Sequence, residues 1–269
     1  MTVPHRATRL PLDGRAAPSD DLVGADAPLP VLLAAGIGSR LGGHVKALWP
    51  VAGRPLLDHC VETLSAGGFD RLLIVTGHGA DALEAHVAAR GYPLRVEYLH
   101  NPRYAELNNF YTLRLACAAV DGPALVLNSD IIFTPEVIDA MGGATGDLSL
   151  AIEPGRVDAE ALKARVAGGV VQELGKHLEP TTAFGEFIGV SLLSDAIRRR
   201  YVIVADAALA RGETTLYYED VYSRLCAGAA ACAVSVPSGS WAEIDCPSDV
   251  PSAATVAARK APERPAAVA

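Results

Sequence analysis

Residues 31–46, VLLAAGIGSRLGGHVK, determine how this chain folds. An apolar run leads into a turn rich in glycine, and Arg40 and Lys46 follow shortly after. Gly36 and Gly38 can adopt positive φ, so backbone N–H groups can approach a bound anion closely. Arginine and lysine then supply cationic donors to phosphate oxygens. The stretch predicts a buried strand that ends at a phosphate-binding loop; a flexible glycine loop without a ligand is the alternative.

Two other phosphate-binding motifs are absent from the sequence. The glycines stand at positions 36, 38, 42 and 43, which does not match the GxGxxG spacing of a dinucleotide-binding turn. The chain also has no GxxxxGK[ST] loop. An NAD-dependent oxidoreductase is therefore disfavoured.

The order of apolar and helical patterns predicts an α/β fold. The continuous apolar run at residues 29–35 is typical of a strand buried on both faces, and further strand patterns occur at residues 71–76, 94–99 and 124–128. Helical patterns lie between them at residues 55–66, 81–90 and 108–120. This alternation predicts a Rossmann-like, mainly parallel open sheet flanked by helices. Shorter strand patterns at residues 148–152, 161–167, 170–174 and 186–192, with a turn at Gly168-Gly169, predict an appended, partly antiparallel region on the substrate side.

Composition and charge describe an ordinary globular protein. The 269 residues are 50% hydrophobic and 20% charged, and the net charge of -8 argues against a nucleic-acid-binding surface. No apolar run reaches the length of a membrane span, and no secretory signal pattern occurs near the N-terminus. The five cysteines are scattered without CxxC, which favours free thiols. We expect a cytoplasmic protein that binds neither nucleic acid nor membranes.

Three segments are expected along the chain. Residues 1–28 are rich in Pro, Asp, Ala and Arg and predict a mobile N-terminal arm. Residues 29–258 predict a single domain, because no repeat or linker interrupts them. Residues 259–269 predict a C-terminal tail.

Two aspartates follow predicted strands. Asp130 stands just after residues 124–128 in LVLNSDIIF, and Asp245 ends a short extended run in WAEIDCP. A carboxylate beside a buried strand is costly unless it binds something. Mg²⁺ takes one or two protein carboxylates and completes its octahedron with water and substrate phosphates. Together with the glycine loop the two aspartates predict a Mg²⁺ site, and helix capping by each of them is the alternative.

The glycine loop resembles the L-A-A-G-x-G-[ST]-R-L…K pattern that opens the family of sugar-phosphate and alcohol-phosphate nucleotidyltransferases. All its letters are present, at Leu33, Ala34, Ala35, Gly36, Gly38, Ser39, Arg40, Leu41 and Lys46. The resemblance implies that this segment binds a nucleotide and that the catalytic residues are Lys46, Arg40, Asp130 and Asp245. It also implies that Asp130 and Asp245 are metal ligands, with Glu243 as a further candidate. Asn128 stands where many relatives have aspartate, so no ligand role is carried over to it.

Residues 101–115, NPRYAELNNFYTLRL, resemble the N-x-x-Y-x-x-x-N-N-x-Y-[ST]-L segment of phosphocholine cytidylyltransferases. The resemblance implies that Asn108, Asn109 and Thr112 open a helix and reach the pyrimidine and ribose of CTP. Amide groups suit this role, since they both donate to and accept from the edge of cytosine. An N-capped helix with an ordinary polar first turn is the alternative.

Two later segments, GEFIGV at residues 185–190 and LYYEDVYSRL at residues 216–225, resemble the acceptor pocket of the same branch. The implied acceptor-binding residues in these segments are Glu186, Tyr218, Glu219 and Asp220. Lys176 is a further one, because it lies in a strand-to-loop stretch where relatives often have a lysine that faces the acceptor phosphate. Aromatic and acidic side chains could together surround an ammonium group, although aromatic residues at helical spacing also suit a core.

The motifs cover nearly all of residues 30–250 and resemble a bacterial cytidylyltransferase. The implied activity is Mg²⁺-dependent transfer of CMP from CTP to a small phosphonate or phosphomonoester, such as phosphonoformate, 2-aminoethylphosphonate or phosphocholine, with release of pyrophosphate. One alternative is a sugar-1-phosphate nucleotidyltransferase that uses UTP, dTTP or GTP, and another is a non-catalytic regulatory protein that binds CTP. The oligomeric state is open, a homodimer being one option.

Overall fold

In the computed structural model, the described residues are 8–9, 27–38, 41–226 and 231–260. Ser39, Arg40 and most of the predicted arm and tail lie outside these ranges. The first half contains β1 (Thr8–Arg9), β2 (Leu29–Ala34), β3 (Pro50–Val51), β4 (Arg54–Pro55), α1 (Leu56–Ala66), β5 (Arg71–Thr76), α2 (Ala80–Arg90), β6 (Arg95–His100), α3 (Asn109–Ala119), β7 (Ala124–Asn128), β8 (Ile131–Phe133) and α4 (Pro135–Gly142). The second half contains β9 (Leu148–Pro154), β10 (Lys163–Ala167), β11 (Val170–Gly175), β12 (Gly185–Leu193), α5 (Asp195–Ala210), α6 (Tyr218–Cys226), β13 (Ala231–Ser235), β14 (Trp241–Glu243) and α7 (Val250–Lys260).

The predicted parallel sheet is confirmed, with β2 at the point where the order of strands reverses. The order β6-β5-β2-β7 is parallel throughout, so the chain leaves β2 first towards β5 and β6 and later returns to add β7 on the other side. The loops after β2 and β7 therefore diverge and leave a crevice at the carboxyl ends of the strands.

The sheet separates two apolar layers. Val31 of β2 faces a layer shared with α3, α5 and α6, whereas the next residue, Leu32, faces a layer shared with α1 and α2. Alternate side chains of a strand point to opposite faces, so a strand covered on both faces needs an unbroken apolar run. In α1 the apolar residues of the second layer recur at helical spacing: Leu57, Cys60, Val61 and Leu64.

The predicted antiparallel region is confirmed after β9. Strand β12 runs antiparallel to both β7 and β9, and β13 lies parallel to β9. Strands β10 and β11 form a hairpin whose turn residues, Gly168 and Gly169, both have positive φ. This hairpin extends the sheet beyond β12 and supplies one wall of the cavity described below.

Element boundaries differ from the sequence predictions by a few residues. The strand predicted at 161–167 begins at Lys163, because the buried Lys163 ammonium binds the carbonyl oxygens of Asp158, Ala159 and Ala161 and holds them in a loop. The predicted tail from residue 259 overlaps α7, which continues to Lys260. Strand β1, inside the predicted arm, pairs with β6. Within the described ranges, no helix has both the length and the hydropathy required to cross a bilayer.

Candidate active site

A cavity of about 800 Å³ opens at the carboxyl ends of β2 and β7. Most of the residues predicted from the motifs line it: Leu33, Ala34, Ala35, Gly36, Gly38, Lys46, Asn108, Asn109, Thr112, Asp130, Lys176, Glu186, Glu219, Asp220, Glu243 and Asp245. Ser39 and Arg40 lie outside the described residues, so their predicted roles rest on the sequence alone. Tyr218 lies elsewhere, as described below.

The glycine loop turns sharply at Gly38. Its φ is 65°, and a Cβ atom there would lie 2.3 Å from the carbonyl oxygen of His44. The Gly38 carbonyl accepts hydrogen bonds from the N–H groups of Leu41 and Gly43, which close the turn. Gly36 keeps negative φ, unlike the sequence expectation, and its missing side chain leaves open space towards the cavity. Of these two glycines, Gly38 is therefore required by the backbone conformation, whereas Gly36 keeps the approach to the backbone clear.

A small strand pair brings the acidic residues together. Strand β8, directly after Asp130, pairs antiparallel with β14, and the N–H of Ile244 donates to the carbonyl oxygen of Asp130 at 2.8 Å. Glu243 and Asp245 flank Ile244, so the pairing sets both beside Asp130. Carboxylate oxygens of Asp130, Glu243 and Asp245 all lie within 4.8 Å of one another.

Lys46 neutralises part of this acidic cluster. Its Nζ donates to Asp130 Oδ2 at 2.8 Å and to Asp245 Oδ1 at 2.7 Å. Burial alone would lower the pKa of Lys46, but the charges and hydrogen bonds of the two aspartates outweigh burial and raise it above its usual value. Lys46 is therefore an ammonium ion that lies between two carboxylates.

The acidic cluster suits a divalent cation. Asp130 Oδ1 is buried and has no hydrogen-bond partner among the described residues, although an unpaired buried carboxylate oxygen is costly. Partial desolvation in the cavity, followed by repulsion from Asp130 and Asp245, raises the pKa of Glu243 to about 8. A donor set made only of carboxylate oxygens is typical of Mg²⁺, Ca²⁺ or Mn²⁺ sites.

The start of α3 is the N-capped helix that the sequence left as an alternative. Asn108 Oδ1 accepts from the N–H of Asn109 at 2.8 Å, and its Nδ2 donates to the carbonyl oxygen of Thr215 at 3.1 Å. Asn109 Oδ1 accepts from the N–H of Tyr218 at 2.9 Å. Thr112 Oγ1 accepts from Asn101 Nδ2 at 3.0 Å. All three residues that were predicted to bind the nucleotide are thus hydrogen-bonded to other groups of the protein. Their contact with cytosine remains a prediction.

Another part of the wall is rich in carboxylates. Burial raises the pKa of Glu219 to about 7, and its Oε2 is buried with no hydrogen-bond partner among the described residues. Burial, then repulsion from Asp158 and Glu153, raises the pKa of Glu186 to about 7. Asp220 Oδ2 accepts from the N–H of Tyr217 at 2.7 Å. This wall is therefore acidic, and it disfavours a bound group that carries only negative charge.

The placement of Tyr218 in the acceptor pocket is corrected. The side chain is fully buried and packs edge-on against Phe187 and Tyr222, while its hydroxyl donates to Asn128 Oδ1 at 2.9 Å. The motif places Tyr218 beside two cavity residues, but on a helix neighbouring side chains point about 100° apart. Glu219 therefore faces the cavity and Tyr218 faces the core.

Some cavity residues were missed by sequence reasoning, among them Glu160, Leu162 and His177. Glu160 and Leu162 lie in or beside the loop that Lys163 holds, and no sequence pattern marks that loop. His177 could have been found, because it follows Lys176, which was predicted to face the acceptor.

Residues 30–179 match the MobA-like NTP transferase domain. The chain is 30% identical over 232 residues to the CMP-5'-(3-aminopropyl)phosphonate synthase of Streptomyces rubellomurinus; the aligned region covers 81% of this chain and 37% of that protein. It is 32% identical over 240 residues to the bifunctional IPC transferase and DIPP synthase of Rubrobacter xylanophilus, which covers 87% of this chain and 52% of that protein. The chain thus spans between about a third and a half of the length of these two relatives.

Solved structures with similar folds include two CTP-using enzymes. The inositol-1-phosphate CTP transferase from T. maritima has a TM-score of 0.72 at 20% identity and covers 89% of this chain and 99% of that chain. The CTP:phosphocholine cytidylyltransferase from Streptococcus pneumoniae has a TM-score of 0.68 at 22% identity and covers 85% of this chain and 98% of that chain. At such identities the likeness is one of fold.

Proposed function

The chain belongs to the family of MobA-like NTP transferase domains, and from this premise we propose that it moves CMP from CTP to a small phosphonate or phosphomonoester with release of pyrophosphate. The observation that carries the proposal is the meeting of Lys46, Asp130 and Asp245 beside the glycine loop. A cation and a set of hard oxygen donors at a phosphate-binding loop are the parts required for attack on a phosphorus atom.

The proposed reaction is an in-line displacement. An anionic oxygen of the acceptor attacks the α-phosphorus of CTP, a new P–O bond forms, and the bond to the β-phosphate oxygen breaks to release pyrophosphate. The attacking oxygen is already charged, so no general base is required and catalysis is mainly positioning and charge neutralisation. This agrees with a cavity that holds no Ser-His-Asp or Cys-His arrangement among its described residues.

The residues divide the work between them. Backbone N–H groups of the glycine loop bind the triphosphate, and the Lys46 ammonium stabilises negative charge that develops around the α-phosphorus. Asp130, Asp245 and Glu243 would hold Mg²⁺, which supplies positive charge to the triphosphate when bound. When the nucleotide binds, its phosphate oxygens offer Lys46 an alternative to the two aspartates.

The acidic wall supports an acceptor with a positively charged nitrogen. Glu186, Glu219 and Asp220 offer carboxylates to an ammonium group, while Lys176 offers its ammonium to a phosphonate. These charges favour 2-aminoethylphosphonate or phosphocholine over phosphonoformate, which has no cationic group. The Streptomyces relative is named for an aminoalkylphosphonate product, which agrees with this preference.

The test is pyrophosphate release in the presence of Mg²⁺. CTP, UTP, GTP and dTTP are each paired with 2-aminoethylphosphonate, phosphocholine, phosphonoformate and glucose 1-phosphate. We expect release with CTP and an amino or choline acceptor. Release only with another nucleotide and glucose 1-phosphate would replace the proposal with sugar-nucleotide synthesis, and CTP binding without any release would replace it with a regulatory role.

A further inference from the structure

Tyr218 connects three elements at the edge of the cavity. It is the first residue of α6, and its N–H donates to Asn109 Oδ1, at the start of α3, at 2.9 Å. Its hydroxyl donates to Asn128 Oδ1, at the end of β7, also at 2.9 Å. The Tyr218 side chain is fully buried, whereas Asn109 and Asn128 are partly buried and line the cavity, so each bond is sheltered from water on the side of Tyr218.

The partners of Tyr218 are themselves fixed. Gly189 of β12 leaves room for Asn128, because a Cβ there would lie 2.6 Å from Asn128 Nδ2. Asn108 caps α3 and also binds the segment just before α6 through two hydrogen bonds. Its N–H donates to the carbonyl oxygen of Thr214, and its Nδ2 donates to that of Thr215. The start of α6 is thus held against α3 by side chains that were predicted to read the nucleobase.

The two ends of this connection face different parts of the cavity. Asn128 is two residues before Asp130, so this end of the connection lies beside the acidic cluster. The other end lies at the start of α3, beside the glycine loop. Glu219 and Asp220 directly follow Tyr218 and line the acidic wall. A shift of Tyr218 would therefore move the acceptor carboxylates relative to the nucleotide end.

We propose that Asn109 and Asn128 are positioning residues that hold Tyr218, and through it Glu219 and Asp220, at a fixed distance from the nucleotide end of the cavity. The inference rests on the proposed function, since it assigns these carboxylates to the acceptor. Asn109 acts through its carboxamide oxygen on the acceptor side, rather than through its edge on cytosine.

The experiment compares Asn109→Ala and Tyr218→Phe with the unaltered protein. Pyrophosphate release with 2-aminoethylphosphonate as the acceptor gives kcat and the acceptor KM, and calorimetry with CTP and Mg²⁺ gives the Kd for CTP. Loss of one of these hydrogen bonds predicts a rise in acceptor KM of about tenfold in either variant, with the Kd for CTP unchanged within about twofold. Asn109→Asp keeps an oxygen that accepts from the Tyr218 N–H, and it should bring the acceptor KM most of the way back to that of the unaltered protein.

Tyr222→Phe is the matched control. Tyr222 lies one turn later on α6 and is equally buried, but its hydroxyl hydrogen-bonds to Ser191 Oγ at 2.7 Å, away from Asn109 and Asn128. It loses a buried hydrogen bond of the same kind, and it should leave the acceptor KM unchanged. An acceptor KM that rises equally in the control would reduce the effect to general destabilisation and overturn the inference.

Two further results would also overturn it. One is weaker CTP binding in Asn109→Ala, which would return Asn109 to base recognition; the other is an unchanged acceptor KM in both variants. Absence of pyrophosphate release from the unaltered protein, in contrast, refutes the proposed function. Hydrogen exchange then tests the link itself: Asn109→Ala should accelerate exchange at the Tyr218 amide, and unchanged exchange would show that the link holds nothing.

Discussion

In the proposed reaction, Lys46 is the residue on which the chemistry depends most. It is joined to partners 84 and 199 positions away in the sequence, Asp130 and Asp245, and no local pattern could have set these distances. In the proposed complex, the Lys46 ammonium lies between the triphosphate and the carboxylates of Asp130 and Asp245. Its position satisfies the requirement for a cation at the reacting phosphorus.

Replacement of Lys46 by alanine tests this role. We expect kcat to fall by about 10²- to 10³-fold, because a fixed charge aimed at the transition state is lost. The acceptor KM should change little, and circular dichroism should show an unchanged fold. A kcat close to that of the unaltered protein would remove Lys46 from the mechanism.

Glu219 predicts how acceptor binding depends on pH. Burial raises its pKa to about 7, so the side chain gains negative charge as the pH rises through that value. An ammonium acceptor should then bind more tightly, and its KM should fall between about pH 6 and pH 8. The acceptor phosphonate also ionises in this range, so Glu219→Gln is the control; an equally steep pH dependence in Glu219→Gln would contradict the assignment. The raised pKa of Glu219 also affects the stability of the fold. As the pH rises from 4.5, the ordinary pKa of glutamate, towards 7, the unfolded chain loses this proton before the folded chain does. The contribution of Glu219 to the free energy of unfolding therefore falls over this range.

At the scale of elements, α1 and α2 are joined through a buried carboxylate. Asp58 of α1 accepts from His86 Nε2 at 2.7 Å and from the Tyr92 hydroxyl at 2.6 Å, and it pairs with Arg90 at 2.9 Å. Burial alone would raise the pKa of Asp58, but these partners outweigh burial and lower it below its usual 3.8. The network fixes both helices against the same apolar layer.

Asp58→Ala should lower the free energy of unfolding by about 3 kcal/mol at pH 7, because it leaves buried donors and a cation without their partner. The pKa of Asp58 is lower in the folded chain than in the unfolded chain, so its carboxylate stabilises the fold at pH values above the unfolded pKa. This stabilisation is lost as the pH falls through the folded pKa. The difference in free energy of unfolding between the variant and the unaltered protein should therefore shrink below about pH 4. Urea unfolding measures both. Asp206→Ala is the control, because Asp206 also pairs with an arginine, Arg114, but is far more exposed than Asp58. It should lower the free energy of unfolding by less than about 1 kcal/mol. Equal losses in the two variants would contradict the account.

Elements with a local cause could be predicted from the sequence. The strands at residues 71–76 and 124–128 were predicted with their observed bounds, because their apolar runs are bounded by turn residues. The start of β10 was missed because it depends on the Lys163 ammonium and its carbonyl partners. The orientation of Tyr218 was missed for a related reason, since Tyr218 is hydrogen-bonded to Asn109 and Asn128, which are distant in the sequence.

At the scale of the whole molecule, the site is assembled from distant segments by the strand order. Because β2 lies between β5 and β7, the glycine loop faces Asp130, and the pairing of β8 with β14 brings Asp245 to the same place. The motifs named most of these residues, but their distances follow from topology. The site should therefore bind its ligands only in the folded chain and should stabilise the fold when they bind.

Ligand binding should raise the melting temperature. At CTP concentrations about 100-fold above Kd, the stabilisation is about 2.7 kcal/mol, which corresponds to roughly 5–10 °C for a chain of this size. Differential scanning fluorimetry with CTP, with Mg²⁺ and with both measures it. The increment from Mg²⁺ should disappear in Asp130→Asn, and a retained increment would contradict the ligand assignment.

The central claim is that a P–O–P bond forms between CMP and the acceptor. The most direct measurement is phosphorus-31 NMR of the protein with CTP, Mg²⁺ and 2-aminoethylphosphonate. The account predicts two mutually coupled resonances, one in the phosphonate region and one in the phosphate region, together with pyrophosphate. Unchanged CTP, or CMP with an unaltered phosphonate resonance, would contradict it.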